Sequence, residues 1–218
     1  MRLKVRSESF AGEFAKAASS ILSKTVPYRV WTTFDERGPW YNVKVTSLML
    51  FEFLDLDFVK LEPMVGRFPK GFLRGFFTAE GNPTFSVSMV RNGICLDASV
   101  VCSNNNQELL EFVSRLCCEL GFNPGRIRLN GMAGSRTNLG MRRESGWLLS
   151  LTRFLDVKKF AQEIGFADTE KQAKLQDGLE VLERDGRFDG AVSWTNAYAK
   201  IGRKWMKKPL SASTVAEL

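Results

Sequence analysis

The order of the periodic segments is the feature of this sequence that most limits its fold. A strand-like alternation over residues 1–7 precedes a helical pattern over residues 9–23, in which apolar side chains recur every three to four positions. Two strand-like segments follow over residues 25–34 and 40–48, and the turn-rich residues 35–39 between them indicate a hairpin. The first part of the chain therefore has the predicted order β-α-β-β.

A second run of segments begins after Gly66 and repeats this order behind an additional helix. That helix is predicted over residues 69–80, and Asn92 with Gly93, a turn pair typical of β-hairpins, joins the two strands that follow. The repeated mixture of helices and strands predicts an α+β protein. The remaining predicted elements are a helix over 106–120, strands near 126–130 and 146–153, and helices near 156–164 and 168–184.

Composition excludes several kinds of chemistry. The 218 residues include no histidine, which rules out Ser-His-Asp catalysis, Cys-His catalysis and every histidine-containing zinc site. The four cysteines form no C-x-x-C pair, and we expect buried free thiols in a reducing compartment. No stretch approaches the roughly 18 apolar residues of a membrane span, and the first residues lack the apolar run of a signal peptide. We therefore expect an intracellular, cytoplasmic protein without a membrane partner.

Basic residues exceed acidic ones and are clustered. The chain has 31 Lys and Arg against 24 Asp and Glu, a formal charge of +7, which favours a polyanionic partner. Residues 125–143 contain five arginines and no acid. A second cluster lies beyond Arg187, where we predict one basic helix, and it consists of Lys200, Arg203, Lys204, Lys207 and Lys208, interleaved with Trp194, Tyr198 and Trp205.

Small residues line one face of the helix predicted before Glu80. Gly71, Gly75 and Ala79 are four residues apart, so this face is almost free of side chains and favours close packing against another backbone. Glu80, followed by Gly81, stands at the end of the face, where a carboxylate from a partner helix would share a divalent cation with it. A surface helix that simply ends in a solvated glutamate and a glycine is the other interpretation of this spacing.

Residues 73–81, LRGFFTAEG, resemble the LAGLIDADG motif of homing endonucleases at the leucine, the first glycine, the alanine, the acid and the final glycine. Residues 103–122 resemble the helix after the second strand of that family. Residues 147–175 resemble its closing strand and the two helices that follow. The resemblance covers about residues 66–183, and the chain is similar to archaeal-type members that are associated with introns or inteins.

The resemblance implies a fold of αββαββα halves in which two motif helices pair at the centre. Each half carries a four-stranded antiparallel sheet, and the saddle-shaped sheets lie in the major groove of DNA. Residues 1–65 then form a partial first repeat without its motif helix, and residues 66–186 form a complete second domain. Residues 187–218 are predicted to be a basic C-terminal helix and tail.

The same resemblance implies a hydrolase, a nuclease that cleaves duplex DNA at specific sites with Mg²⁺ or Mn²⁺ during intron homing. Glu80 would then bind the metal, the main chain near Gly81 would close the metal site, and Lys171 would lie near the attacking water. Lys174 and Lys158 are weaker matches to that lysine. The first acidic helix of two-motif members is not seen in this chain, so we expect a homodimer or a missing N-terminal helix to supply the second acid.

Side chains that alternate along the predicted strands, together with the arginine-rich segment, are expected to contact duplex DNA. An alternative function is that of a cleavage-defective relative, either an RNA-intron maturase or a DNA-binding regulator, and an unrelated basic α+β domain is a third. The predicted DNA contacts are Arg29, Trp31, Lys44, Ser86, Ser88, Arg91, Arg126, Arg128, Arg136, Asn138, Arg142 and Arg143.

Overall fold

The structure, a computed structural model, describes residues 2–21, 28–36, 38–48, 52, 58–137, 140–202 and 204–208. Its elements form two units, each built on an antiparallel sheet. The N-terminal unit contains β1 (Arg2–Val5), α1 (Glu8–Ile21), β2 (Tyr28–Asp35) and β3 (Gly38–Val45). The second unit contains α2 (Phe58–Val65), α3 (Pro69–Glu80), β4 (Gly81–Val90), β5 (Gly93–Asn104), α4 (Gln107–Glu119), β6 (Arg128–Gly131), β7 (Arg136–Thr137), β8 (Gly140–Met141), β9 (Gly146–Leu151), α5 (Phe154–Glu163), α6 (Thr169–Ala197), β10 (Tyr198–Ile201) and β11 (Lys204–Lys207).

The N-terminal unit has a small core of its own. Its strands pair in the order β1-β3-β2, and α1 packs against one face of this sheet. Val43 and Val45 of β3 are buried there against Ala11, Ala15 and Ala18 of α1. Because alanine side chains bury little apolar surface, this core contributes less stability than one built on leucine and phenylalanine.

The second sheet has the strand order β4-β5-β9-β6, and all its pairings are antiparallel. The predicted hairpin around Asn92 and Gly93 is confirmed, since Val90 pairs with Gly93 and the turn between β4 and β5 consists of Arg91 and Asn92. Gly93 has a φ of 128°, a conformation that side-chain-bearing residues rarely adopt. The antiparallel sheets and their helices confirm the predicted α+β class.

The two sheets share one strand order. In the second sheet β4 lies at an edge, next to β5, and the fourth strand β9 separates β5 from the third strand β6. The N-terminal order β1-β3-β2 reproduces the second, fourth and third strands of that arrangement. Within the described residues, the N-terminal unit therefore has no counterpart of α3 and β4, and β1 is the edge strand where a counterpart of β4 would pair.

Aromatic rings fill the core of the second unit. The ring of Phe77 from α3 lies 4.9 Å from that of Phe160 in α5. The fully buried Trp194 of α6 lies 4.5 Å from Phe85 of β4. A Cβ at Gly178 would overlap the Phe85 ring, so the close approach of α6 to β4 requires glycine at this position. The core thus fixes α3, α5 and α6 against the inner face of the sheet.

The prediction of a single basic helix beyond residue 187 is wrong. Helix α6 bends at Gly186, where φ is 72°, and ends at Ala197. The chain then forms the antiparallel pair β10 and β11, here called the C-terminal hairpin (residues 198–208). Tyr198 and Trp205 pack against Trp194 instead of continuing the helix, a contact that local spacing does not encode. The predicted polar tail beyond Pro209 lies outside the described residues.

All four cysteines are free thiols, and three of them are buried as predicted: Cys95, Cys102 and Cys117. Cys118 is exposed, because consecutive residues of a helix point about 100° apart and its neighbour Cys117 faces the core. None of the described helices is both long enough and apolar enough to cross a bilayer.

Candidate metal centre and nucleic-acid interface

Helix α3 presents a buried face and an open one. Pro69 occupies the first turn, where its missing N–H costs nothing, and Leu73 and Phe77 face the core. On the opposite side, a Cβ built at Gly71 or Gly75 would meet no atom within 4 Å in the part of the chain that the structure describes. The predicted small-residue face therefore exists and is open.

Glu80 and Gly81 mark the point where α3 passes directly into β4. Glu80 is the last helical residue and its side chain is exposed, whereas Gly81 is buried. A Cβ at Gly81 would lie 2.6 Å from the carbonyl oxygen of Phe77. Glycine is therefore required here by space, and this tight junction directs the Glu80 carboxylate away from the core.

Lys171 of α6 lies against the C-terminal end of α3. Its Nζ donates hydrogen bonds to the carbonyl oxygens of Thr78, at 2.7 Å, and of Gly81, at 2.8 Å. The N–H of Ala167 also donates to Thr78 Oγ1, at 2.8 Å, so the loop before α6 is fastened to the same turn. An ammonium group at the last carbonyls of a helix is favourable because those carbonyls carry the negative end of the helix dipole.

The two rival lysines occupy other positions. Lys174 lines a cleft beside Asn82 and Thr84 at the start of β4. Lys158 of α5 forms an ion pair with Glu183 of α6, with 2.5 Å between Nζ and the carboxylate. Lys171, the first choice from the sequence, is thus hydrogen-bonded to the end of α3.

The Glu80 groove is a polar depression of about 340 Å³ at the end of α3. Amide and hydroxyl groups dominate its lining, and oxygen is the donor that Mg²⁺ and Mn²⁺ prefer. Glu80 and the neutral oxygens of the groove would supply part of the ligands of a divalent cation. Among the described residues, no group of three or more acids or cysteines is arranged to hold a metal ion. The groove is lined by Glu80, Ser103, Asn104, Asn105, Asn130, Arg142 and Gly146.

Arg142 reaches the Glu80 groove across a platform of two glycines. Gly131 of β6 pairs with Gly146 of β9. A Cβ at Gly131 would lie 2.8 Å from Cζ of Arg142, and a Cβ at Gly146 would overlap its Nη1. The predicted DNA contact Arg142 is thus brought beside Glu80. The sequence analysis missed this proximity, and the signal for it was the two glycines, one on each side of Arg136, Arg142 and Arg143.

The outer face of the second sheet carries several of the predicted DNA contacts. Ser86 and Ser88 are exposed on β4, on the same face as Asn82 and Thr84. The register from β4 through β5 and β9 places Arg128 of β6 on this face as well. These residues form a polar surface on the side of the sheet opposite the helices.

Of the other predicted contacts, three lie around this polar surface and one lies apart from it. Arg91 is exposed in the β4–β5 turn, and Arg136 and Arg143 are exposed in the segment between β6 and β9. Arg126 lies apart, because it precedes β6 and lines a cleft together with Glu111 of α4. Asn138 lies outside the described residues.

The N-terminal sheet places the predicted contacts Trp31 and Lys44 on the face opposite α1. The register pairs residue 29 with Lys44, and Trp31 with Asn42. Arg2 of β1, which the sequence analysis did not select, lies with its Cζ 5.1 Å from the Trp31 ring.

Two further cations of this face were missed. The Nζ of Lys4 lies 4.8 Å from the Trp40 ring, and the Cζ of Arg6 lies 4.1 Å from it. The signal for these residues was the alternation of basic side chains in RLKVRS. The face therefore combines tryptophan rings with cations, a composition suited to a polyanion.

The fold has counterparts among known proteins. No protein-family model matches the sequence. The chain is 28% identical to the uncharacterized protein MJ0398 of Methanocaldococcus jannaschii over 188 aligned residues, which are 84% of this chain. The chain spans 64% of the length of that relative.

Solved structures share the fold. The structure of I-DmoI in complex with DNA and Ca has a TM-score of 0.52 and 19% identity, covering 81% of this chain and 82% of that one. The LAGLIDADG meganuclease I-AabMI bound to uncleaved DNA has a TM-score of 0.51 and 9% identity, covering 88% and 85%. The fold of this chain is therefore that of the LAGLIDADG homing endonucleases, and the resemblance noted in residues 73–81 is confirmed at the level of the fold.

Proposed function

We propose that this protein is a site-specific endonuclease that hydrolyses phosphodiester bonds of duplex DNA with a divalent metal ion. The observation that carries the proposal is the junction of α3 and β4, where an exposed Glu80 ends a small-residue helix and opens into the Glu80 groove. The DNA-bound structures with the same fold support DNA as the partner. Homing at an intron or intein is the biological role that this activity would serve.

Glu80 would hold the metal together with amide oxygens from the groove, such as those of Asn104 and Asn130. A bound Mg²⁺ or Mn²⁺ supplies water activation and stabilises negative charge during phosphodiester hydrolysis. Lys171 fixes the end of α3, and thereby the position of Glu80, through its bonds to Thr78 and Gly81. We assign Lys171 to the catalytic centre on that ground. The Gly81 carbonyl, which the resemblance places at the metal site, accepts a hydrogen bond from the Lys171 ammonium group.

Arg142 would bind a phosphate of the DNA beside Glu80. Its guanidinium lies in the same groove as the carboxylate, and charge-assisted bonds from arginine to phosphate are among the stronger hydrogen bonds in proteins. The outer faces of both sheets would contact the DNA around this centre. In this proposal the residues on those faces include Lys44, Ser86 and Arg128.

A second acidic helix would pack on the open face of α3. Gly71 and Gly75 leave that face free of side chains, and a helix there would bring its terminal carboxylate beside Glu80. The helix would come from a second copy of this chain or from additional polypeptide. The N-terminal sheet supports the second source, because its strand order has an open position at the edge of β1 for a helix–strand unit.

Replacement of Glu80 by Gln tests the proposal. The amide keeps the shape but loses the charge that hard cations require, so we expect loss of cleavage with nearly unchanged DNA affinity. Cleavage of a randomised duplex library in Mg²⁺ and in Mn²⁺ is measured by sequencing the ends. Glu119→Gln is the matched control, because Glu119 is also an exposed glutamate at the last position of a helix. Equal cleavage by wild type and Glu80→Gln would refute the metal role.

One observation favours a second candidate function. Within the described ranges, Glu80 belongs to no cluster of three acids, as expected for a chain that binds nucleic acid without cutting it. In that case the protein would act as an RNA-intron maturase or as a DNA-binding regulator. Tight binding to duplex DNA or structured RNA, with no cleavage in either metal, would establish this alternative over the first.

A further inference from the structure

The C-terminal hairpin concentrates positive charge on a short, folded segment. Residues 198–208 contain five basic residues and no acid. They form two short paired strands, β10 and β11, and the side chains of Lys200, Lys207 and Lys208 are exposed. Nothing in the proposed metal site uses this segment, although it is the second of the two basic clusters in the sequence.

The hairpin is held rigidly on α6. The ring of Tyr198 stacks on Trp194 at 3.9 Å and an interplanar angle of 11°, and Trp205 meets Trp194 edge-on at 6.3 Å. Tyr198 Oη and Lys207 Nζ both donate to the Asp177 carboxylate, at 2.6 and 2.7 Å. These contacts restrict the motion of the hairpin. Less conformational entropy is then lost when a partner binds to it.

The hairpin borders a cleft that is continuous with the outer face of the second sheet. The cleft has a volume of about 610 Å³, and Trp205 and Met206 of the hairpin form one wall. Asn82 and Thr84 of β4 form another wall, and both are on the strand face that carries Ser86 and Ser88. Lys171, which is bonded to the end of α3, also lines the cleft. A polyanion that lies on the sheet face would therefore reach the hairpin at the end nearest Glu80.

We propose that the C-terminal hairpin is a second DNA-contacting element, which binds the phosphate backbone beyond the edge of the four-stranded sheet. This inference rests on the proposed function, because it assumes that duplex DNA lies on the outer face of the sheet. Lys207 and Lys208 are engaged with α6, through Asp177 and the carbonyl of Thr195. Lys200 is therefore the residue assigned to phosphate, because its side chain is exposed and its Nζ lies 6.0 Å from the ring of Trp205, which lines the cleft.

The salt dependence of binding tests this assignment. The hairpin variant is Lys200→Gln, which keeps most of the side-chain stem. The control variant is Lys16→Gln, which removes the same charge from an exposed lysine of α1. Affinity for a short duplex of arbitrary sequence is measured by fluorescence anisotropy across a range of KCl concentrations.

We expect the hairpin variant to lower the slope of log K against log salt by about 0.9 for each phosphate that it no longer binds, and the control to leave it unchanged. Equal effects of both variants would overturn the inference, because they would reflect net charge alone. An unchanged slope in the hairpin variant, with DNA binding retained, would overturn it and leave the proposed function standing. No DNA binding by the wild type would refute both. An equal loss of affinity for poly-glutamate would show a general polyanion site and overturn the DNA assignment.

Discussion

The position of Arg142 depends on two glycines that face each other across β6 and β9. Because a Cβ at Gly146 would overlap its guanidinium, Gly146→Ala displaces Arg142 from the Glu80 groove without changing the charge of the protein. We expect Gly146→Ala and Arg142→Ala to weaken DNA binding alike, by about 1.5–3 kcal/mol, the usual range for a hydrogen bond to a charged group.

A double-mutant cycle on the DNA affinities checks this prediction. Both substitutions remove the same interaction, so the double variant should bind as each single variant does. Arg143→Ala combined with Gly146→Ala is the control: Arg143 is exposed beside Arg142 but does not line the Glu80 groove, so its effect on DNA affinity should add to that of Gly146→Ala. Fully additive effects would mean that Gly146 does not act through Arg142.

The thiols provide a second prediction at the residue scale. Burial raises the pKa of Cys102 and of Cys117 to about 12, so both stay protonated and unreactive near neutral pH. Cys118 is exposed. Alkylation of the native protein should therefore modify Cys118 first, as detected by mass spectrometry. In denaturant all four thiols should be alkylated. Rapid modification of Cys102 in the native state would contradict the packing of β5 against β9.

The same shifts predict how stability depends on pH. The unfolded thiols lose their protons near their ordinary pKa of 9.0, whereas the folded ones keep them until about pH 12. Between these two pKa values deprotonation stabilises only the unfolded state. The free energy of unfolding should therefore fall as the pH rises above about 9. Cys102→Ala with Cys117→Ala should flatten this part of the profile, measured by denaturant unfolding at each pH.

At the scale of elements, α3 has a composition that local stability alone does not favour. Glycine costs about 0.8–1 kcal/mol relative to alanine in a helix interior, and α3 carries both Gly71 and Gly75. Nothing in the described residues approaches the open side of either glycine. A further helix packed on this face would explain both glycines, because only small residues allow two helix backbones to approach closely.

Gly75→Leu distinguishes a free helix face from one that serves as an interface. In the isolated monomer the change should leave the melting temperature equal or higher, because leucine is the better helix former and a Cβ at this position meets no atom within 4 Å. In an assembly the same leucine would separate the helices, a kind of overpacking that typically costs 1–3 kcal/mol. If a second copy of the chain supplies the second acid, the wild type should self-associate in sedimentation velocity and Gly75→Leu should not.

The matched control for that experiment is Gly12→Leu, which is also a helical glycine with open space around its Cβ. It should leave association unchanged. A wild type that stays monomeric would argue against the second copy as the source of the second acid. A lower melting temperature of the Gly75→Leu monomer would show that this face is packed within the chain.

At the scale of the whole molecule, the two units differ in the size of their cores. The described core of the N-terminal unit consists of Ala11, Ala15, Ala18, Val43 and Val45. The second unit buries leucines, phenylalanines and a tryptophan around its sheet. We expect amides of β2 and β3 to exchange hydrogen much faster than those of β5 and β9, because local opening exposes less apolar surface.

Native-state hydrogen exchange measured by mass spectrometry checks this expectation. The peptides that cover residues 28–45 should exchange early, and those that cover residues 93–104 and 146–151 should exchange late. Equal protection of the two sheets would contradict the idea of a separate, smaller core. Slower exchange of β1 in the presence of a helix–strand partner would further indicate that the edge of β1 is completed in the active assembly.

The element order was largely predictable from sequence. The limits of α3 follow from Pro69 at its start and from the Glu80-Gly81 junction at its end, and the β4–β5 turn follows from Asn92 and Gly93. These signals are local, because capping and turn preferences depend on residues adjacent in the chain. The prediction for residues 198–207 was wrong for the opposite reason, since a ring stack with Trp194 selects the hairpin there.

The sequence by itself therefore determined the order of strands and helices, the small-residue face of α3 with Glu80 at its end, and the basic segments. Only the tertiary structure decided which side chains meet around Glu80. Lys171 reaches the end of α3 from 90 residues further along the chain, and Arg142 reaches the Glu80 groove across a glycine pair. It also separated Arg126 from the face that carries Arg128. Periodicity assigns a side chain to one face of its own element, whereas packing of distant elements decides what that face meets.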